Sequence, residues 1–483
     1  MIKKINKTRC IHTAVVCLLL AFSACKAPGL VEKEVDMSML PQNYAGAAAT
    51  DTTQTALINW KQYFTDPYLA TLIDSALTRN QELNMMLQEI AISKSEIRAK
   101  KGEYLPFVGF GAAGETEKVG RYTSQGANDA NTEIKEGVEF PEPLPNYKFG
   151  LQATWELDIW GKLRNAKKAA VLNYLSSVEG RNFMVTQLVG EIAQSYYELL
   201  ALDNQLAIIN RNIEIQSNAY RIVKLQKDAA KATGLAVSKF EAEVLSTRSL
   251  QYEIQQKITE TENRINFLVG RFPQHVERSQ TAFMDIQPQV LKTGVPAQLL
   301  ENRTDVKQAE LALQAAKLDV KVAKARFYPS LGISAGVGFE AFNPKFLLDS
   351  PESLLYSIAG ELTAPLINRN EIKAAYIGAN AKQIQAVYEY EQTVLQAYIE
   401  VANQLAKVSN LEKSYDLKTQ EVDAHNRSVN IAGQLFGSAR ADYMEVLLTQ
   451  RDALESNFEL VETKVAQLNA YVQLYQALGG GWN

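Results

Sequence analysis

After Cys25 the chain contains no cysteine; the only three are Cys10, Cys17 and Cys25. A disulfide framework and a cysteine-ligated metal are therefore excluded from everything downstream. Histidine is almost as scarce, with His12, His275 and His425 the full set. Histidine clusters for metal binding or for a nucleophile–base pair are excluded with them. Surplus positive charge is missing too: the formal net charge is -4 with 22% of residues charged, an unfit balance for holding nucleic acid. No apolar run reaches the roughly 18 residues of a transmembrane helix, so any crossing of a membrane has to use strands. No G-x-x-x-x-G-K-[ST] occurs, so an energy source has to lie in a partner. No cofactor and no metal site is expected, and the chain is not expected to be an enzyme.

What is present starts with a leader. Lys3, Lys4, Lys7 and Arg9 form a basic stretch, and Ile11 to Phe22 form an apolar one too short to span a bilayer. Phe22-Ser23-Ala24-Cys25 then resembles a bacterial lipobox, with Phe22 where an aliphatic residue is usual. Residues 1–24 read as a lipoprotein signal peptide and Cys25 as the lipidated first residue of the mature chain. Residues 25–56, polar and alanine-rich, read as a tether. An ordinary secretory signal is the alternative.

Proline is absent from Asn165 to Gly270 and again after Pro365. In the first of these stretches Leu188, Ile192, Ser195, Leu199, Leu202, Leu206, Ile209 and Ile213 recur in alternating steps of four and three. That heptad spacing puts one apolar seam on a long helix and calls for a partner helix. The pattern breaks near Ala232–Gly234 and resumes towards Leu268, which predicts a hairpin. A helix of about 60 residues would reach roughly 90 Å. The second stretch repeats the design. Leu454, Phe458, Val461, Val465, Leu468, Val472 and Tyr475 carry the same steps, with a break near Gly437-Ser438-Ala439.

Shorter helices and strands precede each hairpin. Asp66-Pro67 is a helix start, with Asp66 as N-cap. Asn80 to Lys101 reads as a helix ended by Gly102, and Asn302 to Arg326 as another. The period changes to two in four segments: Tyr104–Gly114, Tyr147–Ile159, Phe327–Ala341 and Leu354–Leu366. Gly120 to Pro145 reads as a long exposed loop and Phe342 to Pro351 as a shorter one. The order helix, strand, loop, strand, long hairpin therefore occurs twice. Residues 57–270 form a first repeat, 271–301 a connector punctuated by proline, and 302–483 a second repeat. A period this long indicates an internally duplicated protomer and not a solenoid.

Strands of about ten residues suit a tilted crossing of a bilayer. Four cannot close a barrel, and an open edge is forbidden in lipid because its backbone groups go unpaired. Other copies of the chain must complete the sheet, while their hairpins pack into a helical cylinder. Strand count alone allows two copies or more. The class is an α+β membrane protein.

Three patterns point elsewhere and are outweighed. Gly109-Phe-Gly-Ala-Ala-Gly114 matches G-x-G-x-x-G, but no helical periodicity follows to offer its N-terminus to a pyrophosphate. Glu156 and Asp158 could pair as a catalytic acid and base, yet no cleft or base is indicated nearby. Tyr147, Phe149, Trp155 and Trp160 could cage a ligand, but an interfacial aromatic girdle explains them better. On its residues alone, the tip carrying Arg440, Asp442 and Glu445 is a solvated helix reversal.

With these residues in place, the chain resembles the TolC family of outer-membrane efflux proteins, in its lipoprotein (NodT-like) branch. Trp155-Glu-Leu-Asp-Ile-Trp-Gly-Lys-Leu-Arg164 is close to the W-E-L-D-L-[FW]-G-[KR]-L-R signature of that branch. Val295 to Glu310, Ala323 to Leu331, Tyr443 to Leu447 and Ala477 to Trp482 are similar to further segments, in the same order. The resemblance implies a trimer with a 12-stranded β-barrel, four strands per chain, continued by a long periplasmic α-helical barrel. It implies the exit duct of a tripartite pump, served by a periplasmic adaptor protein and an inner-membrane transporter, of the RND type, with outer-membrane lipid around the barrel. A type I secretion duct, or an envelope-bridging coiled-coil lipoprotein that conducts nothing, are the alternatives. The resemblance also implies a periplasmic aperture near Phe436, Arg440, Asp442 and Glu445, and adaptor contacts at tips carrying Ala232, Gly234, Gly437 and Ala439. Ala232 and Ala439 stand where the family's tip turns usually have glycine, and Thr304 where it usually has proline.

Overall fold

The structure is a computed structural model that describes residues 27–31, 33–36, 41, 44, 58–279, 283–289, 294–438 and 440–482. Cys25 and Ala439 lie outside the described residues. The first elements are three helices: α1 (Trp60–Tyr63), α2 (Pro67–Arg79) and α3 (Gln81–Tyr104). Asp66 caps α2 as its sequence requires, accepting from the backbone N–H of Tyr68 at 2.8 Å and of Leu69 at 3.4 Å. Leu69, Leu72, Ile73 and Ala76 form the buried face of α2. Gly102 does not end α3, which runs two residues further to Tyr104. A Cβ there would meet nothing within 4 Å, so this glycine has no steric duty.

Four strands form one antiparallel sheet: β1 (Phe107–Glu117), β4 (Leu144–Leu157), β5 (Ser330–Ala341) and β6 (Leu354–Thr363), in that spatial order. Each of the four strands expected from period two begins or ends three residues away from the expected position. At Tyr104 and Phe327 the preceding helix or turn still holds the chain. The expected loop between β1 and β4 is not structureless. It contains α4 (Ser124–Asp129) and a small hairpin of β2 (Glu133–Lys135) and β3 (Val138–Glu139). Arg121 clamps this excursion by donating to Glu142 Oε2 from Nε at 3.0 Å and Nη2 at 2.8 Å.

The register gives the sheet two unlike faces. Leu151 pairs with Phe110 and Val337, Val337 with Tyr356, and Trp155 with Ile333, all on one face. This face is bare in the chain: Tyr356 is 80% and Ile358 81% exposed. The opposite face carries Lys148, Gln152, Thr154, Glu156, Ser334 and Glu361. At its middle Gly111, Gly150 and Gly338 stand side by side. Gly150 and Gly338 have no room for a side chain, since a Cβ on Gly150 would lie 2.5 Å from the Val337 carbonyl and one on Gly338 would strike the Phe149 carbonyl. Aromatics mark both ends of the apolar face. Trp160 stacks on Tyr328 at 4.8 Å beside one end, and Phe149 stacks on Phe339 at 5.6 Å towards the other.

The two proline-free stretches are long helices. The first hairpin is α5 (Lys162–Asp228) and α6 (Gly234–Val269); the second, after α7 (Gln298–Asn302) and α8 (Thr304–Ala325), is α9 (Asn370–Gly437) and α10 (Tyr443–Ala477). The expected helix from Asn302 is thus interrupted at Arg303, and Thr304 starts α8. Seam residues Leu188, Ile192, Ser195, Leu199, Leu202 and Ile209 of α5 are buried, as are Val461, Leu468, Val472 and Tyr475 of α10. Two compact units result. One holds 92–174 and 311–387 with the sheet; the other holds 35–91, 175–310 and 388–483 with the hairpins and their connector.

Within the second unit, charge clamps fix the connector. Arg278 reaches Asp203 of α5 and Glu262 of α6, each at 2.5 Å. Arg303, 4% exposed, donates to Asp305 Oδ2 at 2.6 Å, Glu400 Oε2 at 2.7 Å and the Ala477 carbonyl at 3.1 Å. Burial opposes its charge, but the Asp305 and Glu400 carboxylates more than offset this and raise its pKa. Removing one partner from such a set strands the others. Arg303→Met is therefore expected to destabilise this unit by about 3–5 kcal/mol, read as a lower midpoint in thermal melts followed by circular dichroism.

Candidate functional site

The two hairpin reversals lie together. Val223 of α5, Phe240 of α6, Ala432 of α9, and Val446 and Leu447 of α10 form one buried cluster, with Ala232, Phe436 and Tyr443 packed against it. Phe240 is fully buried, and its ring lies 6.5 Å from that of Phe436. Each reversal is built locally. After α5 the chain turns on Ala230, whose φ is 55°, and Lys231 N–H closes the turn on the Gln226 carbonyl at 2.7 Å. Thr233 then caps α6 by accepting from Ala236 N–H at 3.2 Å. The left-handed residue of this turn is Ala230, not Ala232, which packs inward instead.

At the second reversal, Arg440 N–H returns to the Leu435 carbonyl at 2.8 Å. Asp442 occupies the N-cap of α10 but makes no side-chain capping bond. Glu445 sits in the first turn of α10, where the helix dipole favours an anion. Arg440, Asp442 and Glu445 are all exposed, and among the described residues none of them forms an ion pair. Gly234 and Gly437 are exposed as well, and a Cβ on either would meet nothing within 4 Å. The tips therefore present an apolar clasp inside and unpaired charges and bare backbone outside.

The patterns set aside above have structural duties. Gly109 to Gly114 lie within β1, which continues to Glu117, so no helix starts at the last glycine to hold a phosphate, and α4 begins only at Ser124. Glu156 pairs with Lys162 at 2.5 Å. Asp158 caps the start of α5, accepting from the N–H groups of Leu163 at 3.0 Å and Arg164 at 2.9 Å.

The family model described as outer membrane efflux protein matches residues 72–271 and 295–480. The chain belongs to the outer membrane efflux protein family. Pyoverdine export outer membrane protein OpmQ of Pseudomonas putida is 27% identical over 425 residues, covering 88% of each chain. Cation efflux system protein CusC of Escherichia coli is 26% identical over 471 residues, covering 96% of this chain and 98% of CusC. The solved open state of the MtrE outer membrane channel of Neisseria gonorrhoeae superimposes with a TM-score of 0.82 at 22% identity, covering 95% of this chain and 98% of MtrE. As an efflux protein of this family the chain is an outer-membrane channel, and the sheet and the long hairpins are its two structural parts.

The tip residues expected from the sequence divide. Phe436 and Ala232 belong to the clasp, whereas Gly234, Gly437, Arg440, Asp442 and Glu445 face outward. Phe240, the centre of the clasp, was not singled out in the sequence. Its signal is positional: it lies in the second turn of α6, just after the Thr233 cap. Phe240→Ala is expected to cost about 3–5 kcal/mol locally. Hydrogen exchange should quicken in 219–240 and 432–447 and stay unchanged in the sheet.

Proposed function

We propose that three copies of this chain form a gated exit duct for small molecules across the outer membrane. The single observation that carries this is the four-stranded sheet. One of its faces is apolar and bare, the other polar, and among the described residues no strand pairs with the outer edges of β1 and β6. Lipid against the first face, a water-filled bore along the second and neighbouring copies at both edges satisfy all three at once. Three copies supply twelve strands.

The hairpin tips form the periplasmic gate. A ring with one Glu445, one Asp442 and one Arg440 from each copy is held shut by contacts between copies, since among the described residues of one chain none of these groups forms an ion pair. A periplasmic adaptor grips the outer side of the tips, where Gly234 and Gly437 leave the backbone open to close approach, and an inner-membrane transporter of the RND type feeds the duct. The duct performs no chemistry of its own. Relatives of this chain are named for pyoverdine export, toluene efflux and cation efflux. Such unlike cargo fits a conduit that reads size more than chemistry.

Residues 1–24 are removed and a lipid on Cys25 anchors the mature chain. In support, Ala27 and Leu30 pack against the cluster of Ala323, Phe327 and Tyr376, three residues before β5 begins. Val31 and Lys33 continue along α9, their carbonyls accepting from Asn380 at 3.3 Å and Gln383 at 3.2 Å. An acyl chain two residues before Ala27 reaches the bilayer beside the barrel's inner rim. The tether 25–56, the repeats 57–270 and 302–483 and the connector 271–301 complete the organisation.

Single-channel recording in a planar bilayer tests the gate. The wild type should give small, flickering currents and Glu445→Ala severalfold larger ones; equal currents would move the gate elsewhere, and silence from inserted trimers would favour a bridging lipoprotein. Cys25→Ser should abolish incorporation of labelled palmitate and leave conductance intact, which metabolic labelling and the same recordings check.

A further inference from the structure

Buried polar residues interrupt the apolar seams of the hairpin bundle at several levels, and one of these levels adjoins the clasp at the tips. On α5 the seam runs Ile209, Ile213, Gln216, Tyr220, Val223, in steps of four and three. Ile209 and Ile213 belong to an apolar cluster with Ile254 and Phe458. Tyr220 and Val223 belong to the clasp at the tips. Gln216, between them, is fully buried, and neither its Nε2 nor its Oε1 finds a hydrogen-bond partner among the described residues. Two of the other three hairpin helices do the same. On α6, Thr247 is buried between Phe240 of the clasp and Ile254 of the upper cluster, its hydroxyl donating back to the Glu243 carbonyl at 3.1 Å. On α10, Gln450 is buried between Leu447 and Phe458, with its Oε1 unpartnered.

We propose that Gln216, Thr247 and Gln450 form a polar break at which the paired tips bend as one body on the bundle above, and that Gln216 sets how readily the gate opens. This rests on the gated-duct reading. A polar residue in a coiled-coil seam lowers its stability while holding its register. A buried amide without a partner destabilises the closed seam further, and bending or parting the seam lets water reach it. The clusters on both sides are apolar and resist parting, so deformation concentrates in the one layer between them. The clasp joins both hairpins through Phe240 and Phe436, so the bend carries four helices together and does not release one alone.

The test uses the full-length protein and two readouts. Hydrogen exchange read by mass spectrometry is compared for wild type, Gln216→Leu and Gln216→Met; methionine, unbranched and close to glutamine in size, covers a leucine variant that fails to fold. Exchange in 213–223 and 447–454 should be faster than in 202–209 in the wild type. It should slow by about tenfold in the variants once the buried amide is gone. Open time in bilayer recordings, made in the Glu445→Ala background, should fall severalfold. Unchanged or faster exchange in the variants overturns the proposal, because the amide is then a satisfied structural group. Exchange does not depend on conduction. A protein that passes no current but shows slowed exchange keeps the break and loses the duct; one that conducts with unchanged exchange keeps the duct and loses the break.

Discussion

Backbone hydrogen bonding at the sheet edges is the constraint on which the rest depends. In a bilayer an unpaired N–H or carbonyl has no water to turn to, so an edge strand must find another strand. The four strands of this chain pair internally through β4 and β5 and, among the described residues, leave β1 and β6 with one free side each. Association of copies is therefore a condition of the fold in lipid, not an addition to it. The same condition explains the apolar face. Side chains such as Tyr356 and Ile358 would be a liability on a water-soluble sheet, and they are suited to hydrocarbon.

Much of this was legible in the residues because two different periods are written plainly. Steps of four and three run through Leu188 to Ile213 and Leu454 to Tyr475, and most of those positions are buried. Period two in Tyr147 to Leu157 gives the apolar face, and the register confirms it residue by residue. Caps were legible where a side chain does the work, as at Asp66. Boundaries were less so. Gly102 read as a helix stop, yet nothing forces the chain to turn there, and α3 continues to Tyr104. The segment before β4 read as loop because Gly, Asn and Glu dominate it, whereas short-range clamps such as Arg121 to Glu142 give it form.

The tip was legible in outline and not in its mechanics. Glycine and alanine near 232 and 437 announce reversals, but they do not say which residue takes the left-handed conformation. Ala230 takes it, and no residue type announced that. Nor could one heptad tell that Phe240 would meet Phe436, because that contact joins two hairpins separated by nearly 200 residues. Gln216 was hidden for a related reason. A lone glutamine in a seam looks like a surface residue until the seam on every neighbouring helix is known to lie against it.

The row of Gly111, Gly150 and Gly338 has a further consequence. On two of the four strands the wall at this level is bare backbone with no room for a Cβ, because each strand's carbonyl occupies the place where its neighbour's side chain would begin. Elsewhere along the polar face, mutation can add bulk or charge one atom at a time. On β4 and β5 here it cannot. At this level only the two outer strands, at Gly111 and Leu355, are open to tailoring, so adjustment of what passes falls to them or to other levels of the wall.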